Sequence, residues 1–402
     1  MAAGYRSFRA SLPWLLLTLQ LGFTSLCWVF FSPGDAPRAT ISYPAFQDVN
    51  HMVMFGFGFF LMFLRRFGFS STGFNLLIIA VGVQGSVLIE DLLLSVLQKQ
   101  SEDGLRRIAK ATMGMTAVVI STGAVLGKTN PLQLILMVVV EIIVFHMSRW
   151  MNNIFLQIPQ NISLMHVHLF GAYFGLAVSS RFSEPPARAE KNTSTPKSDL
   201  LSMLGTLFLW VFWPSFNSML AVKNESRAIS NTYFALAVSA VTAFLLSVLT
   251  TKDGKFRMAH VHSAVLAGGV TLGYTAHVVE APWIAMILGL LASGIAILGS
   301  YCVQRCLNPA LKIHDTSGVH FTFGLPALLG ALAQVIFLVI KHWADLPSLE
   351  NVVLIHSGAF CLTISVALVT GLITGFILNL RLFKTIPVSK YFEDQFYWEV
   401  SF

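Results

Sequence analysis

Runs of roughly 20 apolar residues, the length an α-helix needs to cross the hydrocarbon core of a bilayer, recur from residue 12 to residue 380 of this chain. Inside lipid every backbone N–H and C=O must find its partner within the spanning structure, so only helices and closed barrels cross. The runs lack the alternation of period two that barrel strands show, which leaves helices. Composition agrees: the chain is 55% hydrophobic and 11% charged, whereas a soluble domain carries ~25% charged residues. A surface so poor in charge must face lipid over much of its area. The expectation is an all-α polytopic membrane protein with about twelve spans by hydropathy, at 12–32, 50–64, 71–96, 107–126, 131–149, 162–180, 200–222, 229–250, 259–278, 282–302, 318–340 and 353–380.

The loops set the orientation. With both termini inside, about 17 Lys and Arg fall on the cytoplasmic side and about 9 outside, which satisfies the positive-inside rule. Arg106, Arg107 and Lys110 fall outside and dissent. The first run, Leu12 to Phe31, follows Arg6 and Arg9 and has no small-residue cleavage site before Ser32-Pro33-Gly34-Asp35, so it reads as a retained signal anchor. Residues 1–402 are read as one membrane domain, with a flexible cytoplasmic linker at 183–199, rich in Pro, Ser, Thr and charge, and a cytoplasmic tail at 382–402. The mid-chain linker suggests pseudo-symmetric inverted halves, by analogy with transporters rather than from a visible repeat. The net charge of +7 is no nucleic-acid footprint, because the basic residues lie mostly between the apolar runs. Among the sequons at Asn161, Asn192 and Asn224, only Asn224 is placed outside and clear of the membrane for glycosylation. Cys27, Cys302, Cys306 and Cys361 show no zinc or redox spacing. Cys302 and Cys306 flank the end of a span where S-acylation occurs, but they read more simply as ordinary thiols.

Polar residues at membrane depth or at its edge are the candidates for function, because their burial is costly. They include Glu90, Asp91, Glu141, His146, His166, His168, His262, His320 and His356. His168 stands out, in the apolar segment Leu164-Met165-His166-Val167-His168-Leu169-Phe170. It lines a polar pathway, or it is a histidine hydrogen-bonded between packed helices; the segment alone leaves both open. Neighbours two apart on a helix point about 200° apart, so His166 and His168 cannot share one pore, and the same holds for His260 and His262. No metal cluster follows from either pair, and no cofactor is expected. With no His-Glu-x-x-His and no nucleophile elbow, the chain is not read as an enzyme. A dense aromatic stretch, Trp210-Val211-Phe212-Trp213-Pro214-Ser215-Phe216-Asn217, contains a proline that interrupts the helical ladder. It reads as a pore gate or as a packed or lipid-facing segment.

Several segments together resemble the Rh branch of the ammonium transporter family. They are Phe170-Gly171-Ala172-Tyr173-Phe174-Gly175-Leu176, Gly205-Thr206-Leu207-Phe208-Leu209-Trp210 followed by Trp213-Pro214-Ser215-Phe216-Asn217-Ser218, and Leu266-Ala267-Gly268-Gly269-Val270. Gly123-Ala124-Val125-Leu126-Gly127-Lys128, Phe46-Gln47-Asp48-Val49 and Tyr391-Phe392-Glu393-Asp394-Gln395 with Tyr397-Trp398-Glu399 agree, in the right order. Within the branch, Val261-His262-Ser263-Ala264-Val265, Ala111-Thr112-Met113 and a first outer loop without a sequon are similar to the erythroid blood-group type rather than to the glycosylated paralogues.

The resemblance implies a plasma-membrane trimer of twelve-helix subunits, homomeric or mixed with an Rh-associated glycoprotein, each subunit with its own pore for ammonia. It also implies aromatic gating of an outer vestibule and paired histidines in a narrow apolar channel. Carried over residue by residue, His168 matches the first pore histidine and Phe216 one gate phenylalanine, beside Trp213. Met113 stands where the other gate phenylalanine is expected, and Gln160 where an acid is expected. Phe323, before Gly324-Leu325-Pro326, replaces the second pore histidine. His320 lies one turn earlier, ~4.5 Å along the axis and ~60° around it, and can partner His168 only if its helix rotates. The resulting expectation is an ammonia channel, with carbon dioxide as a further species, whose pore is partly degenerate. The competing expectation is a non-conducting subunit of an erythroid membrane complex, attached to a cytoskeletal adaptor.

Overall fold

The computed structural model describes residues 3–30, 41–96, 103–185, 191–221, 224–306, 313–343, 346–383 and 385–399. All regular structure among them is helical. In chain order the α-helices are α1 (Ala3–Phe30), α2 (Tyr43–His51), α3 (Phe57–Phe60), α4 (Gly68–Val96), α5 (Gly104–Ala124), α6 (Pro131–Phe155), α7 (Gln160–Met165) and α8 (Val167–Ser179). They continue as α9 (Pro196–Ser218), α10 (Glu225–Thr250), α11 (Met258–Ala264), α12 (Ala267–Leu272), α13 (Pro282–Cys306), α14 (Leu325–His342) and α15 (Leu346–Leu378).

Among the described residues, 9 helical segments are long and apolar enough to cross a membrane. The expected spans 50–64, 107–126 and 259–278 are helical but outside that set, each for a visible reason. The first is cut into α2, a π turn (Met52–Gly56), α3 and a 3-10 turn (Leu61–Phe63). The second is α5, whose first turns carry Arg106, Arg107 and Lys110. The third divides into α11 and α12 at Val265-Leu266. Beyond α12 the chain unwinds, and Asn231 of α10 donates to the carbonyls of Ala276 (2.9 Å) and Val279 (2.8 Å). Such side-chain donors make broken backbone tolerable inside a membrane protein.

Small residues bring the helix axes together. A Cβ on Gly171 of α8 would lie 2.3 Å from the Ala117 carbonyl oxygen of α5, and one on Gly175 would lie 2.6 Å from the Ser121 Cα. A Cβ on Gly205 of α9 would lie 2.0 Å from the Phe60 nitrogen. Lipid tails compete equally for apolar side chains, so close backbone approach and dispersion hold such crossings.

Of the linker expected over 183–199, residues 186–190 lie outside the described residues and the last four are helical. Pro196 begins α9, with Thr195 as N-cap in a reciprocal capping box with Ser198. Fixed φ and a missing N–H suit proline to a first helical position. The preceding residues are docked: Thr193 accepts from the Arg65 amide at 3.0 Å, and Lys191 pairs with Glu393 at 2.6 Å. The tail expected at 382–402 is ordered over 385–399. Asp394 accepts from the amides of Phe69 (2.9 Å) and Ser70 (2.8 Å), placing a carboxylate on the exposed donors at the start of α4. Trp398 donates to Ser70 Oγ at 3.0 Å. This defines a tail end of the bundle.

At the opposite end lie the basic residues that dissented from the loop-charge rule. Arg107 Nη1 donates to both Asp91 oxygens at 2.9 and 2.8 Å. Lys110 Nζ, with its residue 1% exposed, sits 3.4 Å from Glu90 Oε1 and 3.0 Å from Gln160 Oε1. The charges are compensated inside the protein and so give no loop signal.

The α5–α8 crossing leaves no room for a methyl group. Gly171→Ala therefore lowers stability by ~1–3 kcal/mol, measured as a lower unfolding midpoint in detergent. An unchanged midpoint would show that the two helices separate freely.

Candidate functional site

His168 is fully buried, in the second turn-position of α8 just after the α7–α8 break. Its imidazole lies in an aromatic slot. Trp213 stacks on one side with centroids 5.6 Å apart and planes 20° apart, and Phe323 stacks at 6.3 Å and 11°. Phe216 meets the ring edge-on at 5.7 Å. Neither ring nitrogen makes a well-formed hydrogen bond, although the Met165 carbonyl lies nearby. A buried polar group without a partner is costly, and such an exception calls for an explanation.

The wall around the slot is positioned by irregular helix. Phe323 belongs to a π turn, His320–Gly324, directly before α14. Pro326 has no N–H for the Thr322 carbonyl, so the ordinary α ladder is interrupted there. The start of the turn is fixed by Asp315, whose carboxylate accepts from the amides of Val319 and His320, each at 3.0 Å. Behind Phe323 stand Phe57 (5.8 Å) and Phe60 (6.0 Å). Phe60 in turn stacks on His262 at 3.8 Å and 11°. α9 runs through Pro214 to Ser218, so Trp213 and Phe216 share one continuous helix.

The other sequence candidates separate. His166 turns to Thr363, 2.8 Å from Nδ1, and to Tyr274, so its partners differ from those of His168. Met113 is fully buried on α5 in the main apolar core. Gln160 accepts the Lys110 ammonium hydrogen bond at the end opposite the tail. His320 makes its ring contacts with Tyr173 (5.9 Å) and Phe321 (5.0 Å) rather than with His168. Asn224 is exposed as the left-handed N-cap of α10, with φ 62. His260 and His262 both border a wide cavity at the tail end, which departs from the expectation for residues two apart. The cavity is broad enough to touch both, while His260 approaches Thr250 and His262 approaches Phe60. Sequence reasoning did not pick out Phe57 and Phe60. The signal available was the glycine pair Gly56 and Gly205, which lets α9 press on that segment.

A polar knot lies beneath the π turn at the tail end. Lys128, in the tight turn between α5 and α6, is 1% exposed. It donates to Ser179 Oγ and to the His314 carbonyl, both at 2.6 Å. Burial pushes its pKa down to about 7, with Asp315 and Glu184 partly opposing. Burial also holds His314 down at about 4, helped by Lys128, and raises Asp315. Gly127, at φ +76, supplies the left-handed residue that this turn needs. Its carbonyl accepts from the Phe392 amide at 3.0 Å, joining the tail to the knot.

The sequence model described as Ammonium Transporter Family matches residues 10–396. An "RH-like protein" of Macaca mulatta is 41% identical over 98% of this chain and 97% of that protein. The "Blood group Rh(CE) polypeptide" of Homo sapiens is 40% identical over the same shares. Among solved structures, the Nitrosomonas europaea Rh50 chain is similar at TM-score 0.76 and 29% identity, covering 89% of this chain and 91% of that one.

Lys128 makes the fold pH-dependent. Its folded pKa lies below the unfolded one, so between about pH 7 and the ordinary lysine value the unfolded chain binds the extra proton, and stability rises with pH through that window. Compared with Lys128→Met, the native protein gains up to ~1.4 kcal/mol per pH unit there, measured as unfolding midpoints in detergent. Parallel profiles for the two proteins would show that burial leaves the amine's proton affinity unchanged.

Proposed function

The chain belongs to the ammonium transporter family, and we propose that it is an Rh-type membrane channel protein that passes ammonia weakly, along a path centred on His168 and narrowed by Phe323. The observation that carries this reading is the imidazole of His168, buried in an aromatic slot with neither nitrogen well bonded. A small polar guest that both donates and accepts hydrogen bonds would satisfy it in transit. Ammonia has that chemistry, and its desolvation costs far less than that of ammonium. The Nitrosomonas europaea Rh50 chain, one of the Rhesus protein family of channels, points the same way.

In this reading Trp213 and Phe216 close the slot from the far side and Phe323 from the tail side. Met113 provides bulk where an aromatic gate would stand. Gln160, tied to Lys110, offers no carboxylate to recruit a cation at the mouth. The subunit forms a trimer, homomeric or mixed with an Rh-associated glycoprotein, in the plasma membrane. The tail end is cytoplasmic, Asn224 lies outside, and the interrupted segments 43–63 and 258–279 together with α5 complete twelve spans. Carbon dioxide, which needs no proton relay, is a further permeant.

One observation favours a second reading. The stacking of Phe323 on His168 fills the position where a second histidine would leave a polar gap. A chain so plugged serves as a non-conducting subunit of a mixed complex, with attachment to a cytoskeletal adaptor.

Stopped-flow ammonia permeability of proteoliposomes separates the two. Under the channel reading the protein alone raises permeability above lipid background, and His168→Ala lowers it. Background flux from a folded trimer would leave the structural reading. Under the plug account Phe323→His raises uptake of methylammonium at equal surface expression, and no gain would rule out the lost histidine as the cause of weak conduction.

A further inference from the structure

A cavity of about 1210 Å³ opens at the tail end, between α9, α11, α13 and the turn that precedes Phe323. Among its lining residues are Phe63, His260, His262, Asp315 and Phe321. His262 is 6% exposed. Its ring lies flat on Phe60 at 3.8 Å, with Phe63 edge-on at 6.4 Å, which fixes its orientation. Nε2 sits 3.0 Å from the Phe60 carbonyl. A carbonyl oxygen only accepts, so Nε2 carries the hydrogen and donates. In a neutral imidazole Nδ1 is then a bare lone pair. No hydrogen bond between Nδ1 and a described residue accompanies it, and His262 is one of the residues that line the cavity.

The two histidines occupy the ends of one chain of aromatic contacts. From the far side it runs His168, Phe323, Phe60, His262, with centroid separations of 6.3, 6.0 and 3.8 Å, the outer pairs parallel and the two phenylalanines edge to face at 67°. At one end neither His168 nitrogen is well bonded, and at the other His262 keeps Nδ1 free while Nε2 donates to the Phe60 carbonyl; the middle presents only hydrocarbon. His320 does not bridge the gap, because its ring lies against Tyr173 and Phe321.

We infer that His262 forms an ammonia-binding station at the floor of the tail-end cavity, its Nδ1 accepting a hydrogen bond from the neutral solute. This rests on the ammonia-channel reading for its role in transport. The binding itself is a separate equilibrium. A solute leaving His168 crosses two phenylalanine layers and then meets an acceptor before bulk water, one step deeper than a second histidine at position 323 would provide it. The station uses hydrogen bonding alone, so no proton is transferred at it.

The test is built to separate the station from conduction. Protein labelled with ¹⁵N-histidine is placed in nanodiscs, and the His262 signals are assigned by their absence in His262→Ala and confirmed in a His168→Ala background. Ammonium chloride is then added at alkaline pH, where much of the solute is neutral ammonia, against sodium chloride at equal strength and pH. An ammonia-specific shift of the bare Nδ1 resonance is expected. No shift, whether or not the protein conducts, overturns the station. Where the native protein conducts, His262→Ala lowers permeability by about 2- to 10-fold, the equivalent of one hydrogen bond, and His262→Gln, which keeps an acceptor, restores part of it. Unchanged flux in a folded His262→Ala protein would also overturn the role. Absent flux in the native protein with an intact shift would overturn the channel reading and leave the site standing.

Discussion

The parallel, offset packing of Phe323 against His168, with centroids 6.3 Å apart, governs what this bundle can do. A membrane interior is a poor place for an imidazole, and proteins that keep one there normally give it a partner. Here the partners are rings. Trp213 and Phe323 supply dispersion across both faces, and neither supplies a hydrogen bond. The helix geometry on each side serves that contact: the α7–α8 break aims His168, the π turn before Pro326 aims Phe323, and Asp315 fixes the beginning of that turn. A slot built this way sets a prohibitive desolvation cost on any ion, so a solute that passed it would have to be small and uncharged.

Much of this was legible in the sequence because it depends on residue identity at single positions. His168 in an apolar run, Phe323 before Gly324-Leu325-Pro326 and the Trp213–Phe216 pair could all be read directly, and the structure brings these four residues together. The contributions of Phe57 and Phe60 could not, nor could the packing of His262 on Phe60. They reach the slot through tertiary contacts between distant segments, and a phenylalanine in a lipid-poor position looks the same in sequence as one facing lipid. The end of the expected linker is helical for a related reason. Pro, Ser and Thr suit a flexible segment, but Thr195, Pro196 and Ser198 are also the residues that begin a helix. Composition does not distinguish the two uses, whereas spacing does.

The two ends of the bundle manage charge differently. At the tail end, Lys128 is buried and held by neutral oxygens, and the ordered tail packs over the same turn through Phe392. Asp394 and Glu393 meanwhile tie the tail to α4, Arg66 and Lys191. At the opposite end, cations meet carboxylates directly, as Arg107 with Asp91 and Lys110 with Glu90. Removing one member of a buried pair leaves an uncompensated charge, which is far more costly than the pair is stabilising. The far-end charges therefore hold α4, α5 and α7 in one register.

That arrangement also explains why α5 does not look like a membrane span. Hydropathy measures suitability for lipid, and from Ala109 to Ala124 α5 is buried throughout. Its neighbours α4 and α8 enclose it, and α8 approaches through glycines. A helix enclosed over most of its length is free to carry Arg107 and Lys110, provided each finds a partner, and both do. The same freedom extends to the Met52–Gly56 and α11–α12 segments, whose interrupted ladders are covered by protein. A scale built on lipid transfer thus undercounts α5 although it is among the most enclosed helices. It says nothing of which helices carry the site, since His168 and Phe323 lie in segments apolar enough to be counted as spans, while α1, also counted as a span, has 0% of its apolar window buried inside the protein and contributes no residue to the slot.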